Sequence, residues 1–428
     1  MNSHVNDLTL KHIPGHDGLP IIGSTLDYLL KPRRALTDQL LQNYGDIYKV
    51  HAFGNRLVVF ASPAANKFIL TNKDQIFSNE LGWKLHFGDL AQDTLLAMDG
   101  SEHSRHRSEM ARTFSSDNRT HFNHIINQYL CEKTIPRDVG YFDFCNDIVV
   151  DLLYRIVFGG NPTDEIRQHT KDVINSAGAF IKKAIPGSKF WRGQRARNAL
   201  SACLQESEFD KQFSIYNSLL TQSTLTKEEA FNQSLFLLIA GHHTTASAAT
   251  FIMYYLTRHT HWMTQVSEEI HACPSDTPDN NQLQQLESLS LVFKETLRLY
   301  PPLRSIPRQA TQAFEFGGFE FPAMTKLMLV PDDTCRLPSL WENADQFQPE
   351  RFLTPLSDEQ HWAYIPFGMG AHRCIGAYLG EFIAKLITFH VLRETIPSAQ
   401  CAQEDVSLIP IPKPAQGLKL TLRRRTAP

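Results

Sequence analysis

Four things are scarce in this 428-residue chain: paired cysteines, excess charge of either sign, low-complexity linkers and long apolar runs. Its seven cysteines, at 131, 145, 203, 273, 335, 374 and 401, are scattered and include no C-x-x-C pair. That excludes a disulfide framework, a zinc ribbon and an iron–sulfur site, and the odd count points to a reducing compartment. The 42 basic and 45 acidic residues nearly balance, so bulk nucleic-acid binding is not expected. No run of 18 or more apolar residues predicts a transmembrane anchor. The start, Met1 to Leu10, is polar and lacks the form of a signal peptide. These absences predict a soluble, cytoplasmic protein with at most peripheral membrane contact. No Gly/Ser or Pro-rich linker and no repeat divides the chain. The expected organisation is a polar tail at residues 1–12 and one large domain at 13–428, mainly α with a small β region (α+β).

What is present begins with a turn-rich lead-in loop at residues 13–23 and a β-hairpin from Tyr48 to Phe60 around Gly54-Asn55. Residues 100–300 carry mostly helical patterns. Short β-prone runs flank Gly317-Gly318 within residues 315–332. Residues 335–374, with Pro338, Pro349, Pro355 and Pro366, read as a long irregular segment, a form that is normally functional inside a compact domain. It leads to Phe367-Gly368-Met369-Gly370-Ala371-His372-Arg373-Cys374-Ile375-Gly376, one cysteine in a glycine-rich loop that runs straight into a helical pattern. A helix N-terminus favours an anion, and a single thiolate there suits axial ligation of a haem iron. Glycines such as Gly370 and Gly376 would let a flat macrocycle approach the backbone. A buried free cysteine in a turn is the structural alternative.

The window matches F-x-x-G-x-[HR]-x-C-x-G at Phe367, Gly370, His372, Cys374 and Gly376, and so resembles the haem-binding loop of the cytochrome P450 family. Further segments agree. Glu295 and Arg298 lie three apart on a predicted helix, and Phe347-Gln348-Pro349-Glu350-Arg351-Phe352 follows. The resemblance implies a buried cluster of Glu295, Arg298 and Arg351 that holds the irregular segment to the core. Residues 226–256 read as a long buried helix opened by a Thr226–Glu229 capping box. Its Ala240-Gly241-His242-His243-Thr244 resembles the family's oxygen-activating segment, with Gly241 and Thr244 matching. His243 stands where the family usually has an acid, and the A-G-H-H-T arrangement is similar to the sterol-demethylating branch. Histidine can also shuttle protons near neutral pH. A satisfied core histidine is the alternative.

By the same resemblance, His103, Arg107, Arg308 and His372 are expected at the haem propionates. Leu237, Ala240, Ala248, Ser305 and Ile306, with the Trp83–Phe87 segment, are expected to line a lipophilic pocket. Cys335 occupies a position where the family often has histidine. The implied protein is a haem-thiolate monooxygenase holding haem b through Cys374. It would hydroxylate a fatty acid, terpenoid or steroid-like molecule. Electrons would come ultimately from NAD(P)H through a ferredoxin or flavodoxin and its reductase, docking near Arg105, Arg112, Arg373 and Lys385. A basic stretch from Lys182 to Arg197 reads as a lipid or acid contact, or as a solvated helix face. A peroxide-using peroxygenase or isomerase on the same fold, and a non-catalytic haem or gas binder, remain open.

Overall fold

Apolar side chains at helical spacing dominate residues 100–300, and that stretch folds as helices. The computed structural model describes residues 10–19, 22–30, 33–52, 54–179, 182–206, 214–401 and 405–425. Most of the expected polar tail, residues 20 and 21 of the lead-in loop, and residue 53 of the hairpin lie outside the described residues. Helices of eight residues or more are α1 (Arg33–Tyr44), α2 (Pro63–Thr71), α3 (Asn79–Phe87), α4 (Gly100–Arg112), α5 (Ser116–Glu132), α6 (Tyr141–Phe158) and α7 (Asp164–Ala177). Then come α8 (Lys189–Glu206), α9 (Ile215–Gln222), α10 (Lys227–Leu256), α11 (Thr260–Ala272), α12 (Glu287–Leu299) and α13 (Ala377–Glu394).

The core is built around α10 and α6. Leu238, Ala246, Ala249 and Ile252 of α10, and Val149, Leu152 and Ile156 of α6, are fully buried in one cluster. Burying an Ile or Leu side chain contributes about 1.5–3 kcal/mol. By length and composition α10 could cross a membrane, yet two thirds of its most apolar window is buried inside the protein. The expected capping box is present. Thr226 N–H donates to Glu229 Oε2 at 2.7 Å, and Glu229 N–H donates to Thr226 Oγ1 at 3.2 Å. Glu229 also pairs with Arg105, which docks α4 onto the start of α10.

The β region is small and assembled from distant segments. A six-stranded sheet runs β1 (Gly15–His16), β2 (Ile47–Ala52), β3 (Asn55–Phe60), β9 (Lys326–Leu329), β6 (Ile306–Ala310), β4 (Phe77–Ser78). β2 and β3 form the expected antiparallel hairpin, with Ile47 opposite Phe60. β7 (Phe314–Phe316) and β8 (Phe319–Phe321) pair across Gly317 and Gly318, whose positive φ values suit a tight hairpin turn. A three-stranded sheet of β10 (Thr395–Ala399), β13 (Lys419–Arg424) and β5 (Asp138–Gly140) was not anticipated from the sequence. A two-residue pair, β11 (Val406–Ser407) with β12 (Lys413–Pro414), completes the strands.

Residues 335–374 are irregular apart from a short helix at Asp358–Ala363 and two 3₁₀ turns. Glu295, Arg298 and Arg351 meet beneath this segment. Arg298 donates to both Glu295 oxygens at 2.7 and 2.8 Å, and also to the carbonyls of Cys335, Ala344 and Gln346. Arg351 Nε and the Gln348 N–H reach Glu295 Oε1 at 3.1 and 2.9 Å. Glu295 and Arg298 are fully buried, so each needs the other to offset its desolvation. Cys335 is buried as well, its thiol donating to the Ala363 carbonyl at 3.3 Å.

Glu295→Gln leaves the Arg298 guanidinium buried without its carboxylate and should cost about 3–5 kcal/mol, read as a lowered unfolding midpoint with α-helix content intact below it. An unchanged midpoint would remove the cluster from the account of stability. A second expectation concerns pH. His242 and His390 are held down to about 4 and His243 to about 2, in each case chiefly because burial disfavours the charged ring. The unfolded chain binds these protons near pH 6.5, the native protein only well below it. Stability should therefore fall as pH drops below about 6.5, by about 1.4 kcal/mol per unit for each histidine. Equilibrium unfolding at pH 7 and pH 5 should show this, and His390→Gln should flatten the slope; equal slopes in the two proteins would contradict it.

Candidate functional site

The segment locked down by Glu295 delivers its end to a cavity of about 320 Å³ under α10. The loop turns tightly just before α13. Gly370 lies at φ 71°, and a Cβ there would sit 2.1 Å from the Leu70 carbonyl oxygen, so only glycine lets the loop rest on the end of α2. Cys374 N–H donates to the Phe367 carbonyl at 2.8 Å, closing the loop that aims the side chain. Cys374 is surface-exposed by area yet enclosed deep in the protein. The two observations agree because its open surface faces the cavity, which it lines. Burial pushes the thiol up, while the Gly376 N–H, Arg107 and Arg373 act in the opposite direction.

Gly376 also lines the cavity, and a Cβ added to it would meet nothing within 4 Å. The neighbouring protein therefore does not require glycine there; the space beside it is open. Phe367 lines the cavity, whereas Gly370 serves the packing against α2 instead.

From above, α10 presents Leu237, Ala240, Gly241, Thr244 and Ala248 to the cavity. The Thr244 hydroxyl donates within the helix, to the carbonyls of Ala240 at 3.1 Å and Gly241 at 3.3 Å. Gly241 has a packing reason too, since a Cβ would meet Leu153 of α6 at 2.8 Å. His243 points elsewhere. It is buried off the cavity, edge-on to Phe142 and beside His242. His242 Nδ1 meets the Leu238 carbonyl, and its Nε2 is buried without a hydrogen-bond partner among the described residues.

One edge of the cavity gathers His103, Arg107, Arg308 and His372, all four lining it. The His103 and His372 rings touch in a tilted arrangement, centroids 3.9 Å apart and planes at 39°. His103 is held down to about 4 and His372 to about 2, burial first and then neighbouring positive groups. Arg308 on β6 is buried, and burial pushes it down to about 10. Among the described residues its guanidinium donates to the adjacent Pro307 carbonyl and makes no ion pair, although Asp99, 3.9 Å from His372, lies near enough to favour its charge. A buried arginine that no carboxylate reaches at ion-pair distance is poised for an anion.

The substrate-side wall is apolar. Ile306 lines it as expected, with Trp83 and Phe87, but Ser305 does not. Gly82 makes this wall possible: a Cβ there would lie 2.7 Å from Arg308 Cα, so glycine allows α3 to rest on β6. Leu153 and Val157 of α6, Val173 and Ile174 of α7, and Leu95 also line the cavity and were not singled out from the sequence. On α6, Asp143, Asp147, Asp151 and Arg155 recur every four residues as a polar stripe, and the apolar remainder faces both the core and the cavity.

Among the cations expected at a partner surface, Lys385 is corrected: it is buried, its ammonium donating to Ser290 Oγ at 3.0 Å and to Glu381 Oε1 at 2.5 Å. Its place on α13 packs it inward. Arg373 is exposed, Arg112 is exposed and paired with Glu109, and Arg105 is engaged by Glu229.

Comparison with known proteins agrees with this geometry. A putative cytochrome P450 136 of Mycobacterium tuberculosis is 28% identical, over 97% of this chain and 89% of its own. Cytochrome P450 26A1 of Danio rerio is 28% identical, over 87% of this chain and 82% of its own. A solved structure described as retinoic acid bound cyanobacterial CYP120A1 superposes with a TM-score of 0.85 at 24% identity, covering 96% of this chain and 99% of that one. The family model for cytochrome P450 matches residues 13–161 and 158–395, nearly the whole length, and the chain belongs to the cytochrome P450 family of haem monooxygenases.

Proposed function

We propose that Cys374 is the axial thiolate of a haem b in the cavity under α10, and that the protein hydroxylates a lipophilic small molecule there. The observation that carries this reading is one cavity lined together by Cys374, Thr244 and the buried Arg308, which makes no ion pair among the described residues. The donor set fits the group: a single sulfur for iron, an open face beside Gly376, and His103, Arg107, Arg308 and His372 for two propionates. When bound, haem with a thiolate ligand supplies dioxygen activation.

The chain's own residues supply the surroundings. The Gly376 N–H and Arg107 favour negative charge on the Cys374 sulfur. Thr244 holds a proton at Oγ; rotating its hydroxyl away from the Ala240 carbonyl would turn that proton toward the cavity. His243, held neutral by burial, can accept a proton but does not store one near pH 7. The apolar wall of Trp83, Phe87, Val157 and Ile306 keeps water out and favours a lipophilic substrate such as a fatty acid, terpenoid or steroid-like molecule. Electrons would arrive from a separate ferredoxin or flavodoxin, reduced at the expense of NAD(P)H. The exposed Arg373, next to Cys374, is the proposed contact for an acidic carrier. A soluble, cytoplasmic setting is part of the same proposal.

The reduced protein with carbon monoxide should show the absorption of thiolate-ligated haem. Cys374→Ala should lose that band and Cys335→Ala should keep it; a surviving thiolate band in Cys374→Ala would overturn the assignment. Arg308→Gln should weaken haem retention about tenfold or more, the usual worth of a lost charge-assisted hydrogen bond, measured by transfer of haem to a scavenging globin. Unchanged transfer would place the propionates elsewhere. With retinoic acid and other lipophilic compounds as probes, Thr244→Ala should keep the substrate-induced spin shift while product formed per NAD(P)H falls about tenfold. Full coupling in that variant, or turnover with peroxide alone, would shift the reading toward a peroxygenase.

A further inference from the structure

α7 and α8 form an antiparallel pair that touches this cavity at one end only. At one end a Cβ on Gly193 of α8 would collide with the Ser176 side chain of α7, so the helices touch there. The adjacent residues Val173, Ile174 and Ala177 of α7 line the cavity. At the other end Glu165 and His169, four apart and on one face of α7, meet Cys203 of α8. One donor atom from each lies within 4.8 Å of the other two. His169 Nε2 stands 3.5 Å from Glu165 Oε1. His169 and Cys203 are half-buried and Glu165 is exposed.

We propose that Glu165, His169 and Cys203 form a binding site for a divalent metal ion of the zinc class. The chemistry of the donors selects the ion. A thiolate, an imidazole and a carboxylate suit zinc, whereas magnesium and calcium require oxygen donors, of which this group offers one carboxylate. Metal bonds of about 2.0–2.3 Å in a tetrahedron put ligand atoms roughly 3.3–3.8 Å apart, so side-chain rotations of about 1 Å complete the site. The backbones need not move. Ile166 and Thr170 of α7 and Leu200 and Leu204 of α8 are all buried, which fixes the helix pair around the three donors. The exposed flank at Glu165 leaves room for water as a fourth ligand. Binding converts the Cys203 thiol to a metal-bound thiolate and releases its proton to solvent. The ion would fasten α7 to α8 at the end remote from the cavity, stiffening a helix pair whose near end forms part of the cavity wall. The site stands independently of the assignment of Cys374.

The test uses the haem-loaded protein, stripped with a chelator and equilibrated with Zn²⁺ by dialysis. One equivalent should bind, with X-ray absorption at the zinc edge showing one sulfur neighbour at about 2.3 Å. His169→Ala and Cys203→Ser should weaken binding at least tenfold, and Cys401→Ser, which removes an exposed thiol elsewhere, should not. Glu165→Gln, at an exposed position that packing does not need, should weaken binding at least threefold, and so tests the site even if the half-buried variants fold poorly. Absence of stoichiometric zinc, a shell of nitrogen and oxygen only, or equal affinity in all variants would overturn the proposal.

Discussion

The fully buried pair of Glu295 and Arg298 is the constraint on which the rest depends. Neither charge tolerates burial alone, so the segment that supplies their remaining partners has one acceptable path. Arg298 takes the carbonyls of Cys335, Ala344 and Gln346, and Glu295 takes the Gln348 N–H and Arg351. Five contacts from residues 335–351 thus fix a stretch with little regular structure of its own. The loop that follows then rests on α2 through Gly370 and presents Cys374 to the cavity. A polar cluster that does not itself line the cavity, though its helix does through Phe293 and Leu297, sets the position of the sulfur.

The same logic, reversed, marks the functional edge. In the Glu295 cluster both guanidiniums share one carboxylate inside the protein. At the cavity edge Arg308 makes no ion pair among the described residues, with Asp99 the nearby carboxylate, and His103 and His372 are driven toward neutrality. The two groups therefore differ in degree: the first shares the fully buried Glu295 at hydrogen-bond distance, whereas at the cavity edge the one carboxylate nearby, Asp99, reaches His372 only at 3.9 Å and makes no ion pair with Arg308.

Much of this was legible in the sequence because it rests on short-range pattern. The Thr226–Glu229 capping box, the Gly317-Gly318 hairpin and the loop ending in Cys374 each depend on residues within ten positions of one another. The pairing of β5 with β13 and the docking of α3 on β6 at Gly82 depend on contacts across hundreds of residues, for which no local pattern exists. Lys385 was misplaced for a related reason. A lysine read in isolation belongs at the surface, and only the packed neighbours Ser290 and Glu381 show that its stem is buried and its charge met inside. His243 marks the limit on the distal side. Its position beside Thr244 is plain in the sequence, but a shift of one residue along a helix turns a side chain by about 100°. That rotation takes it out of the cavity and against Phe142.

That divided helix and the cavity floor lead to one electrostatic conclusion. Taken alone, the chain does not favour a thiolate at Cys374, because burial outweighs the Gly376 N–H and the two arginines. Nor does it favour three cationic groups at Arg308, His103 and His372, for the same reason. A neutral ligand would relieve neither tension. A group that brings positive charge to the sulfur and negative charge to the opposite set of donors relieves both at once. Haem carries its charges in that arrangement, with a cationic iron at the centre and carboxylates at the rim, so the two unsatisfied features of the cavity have a common solution.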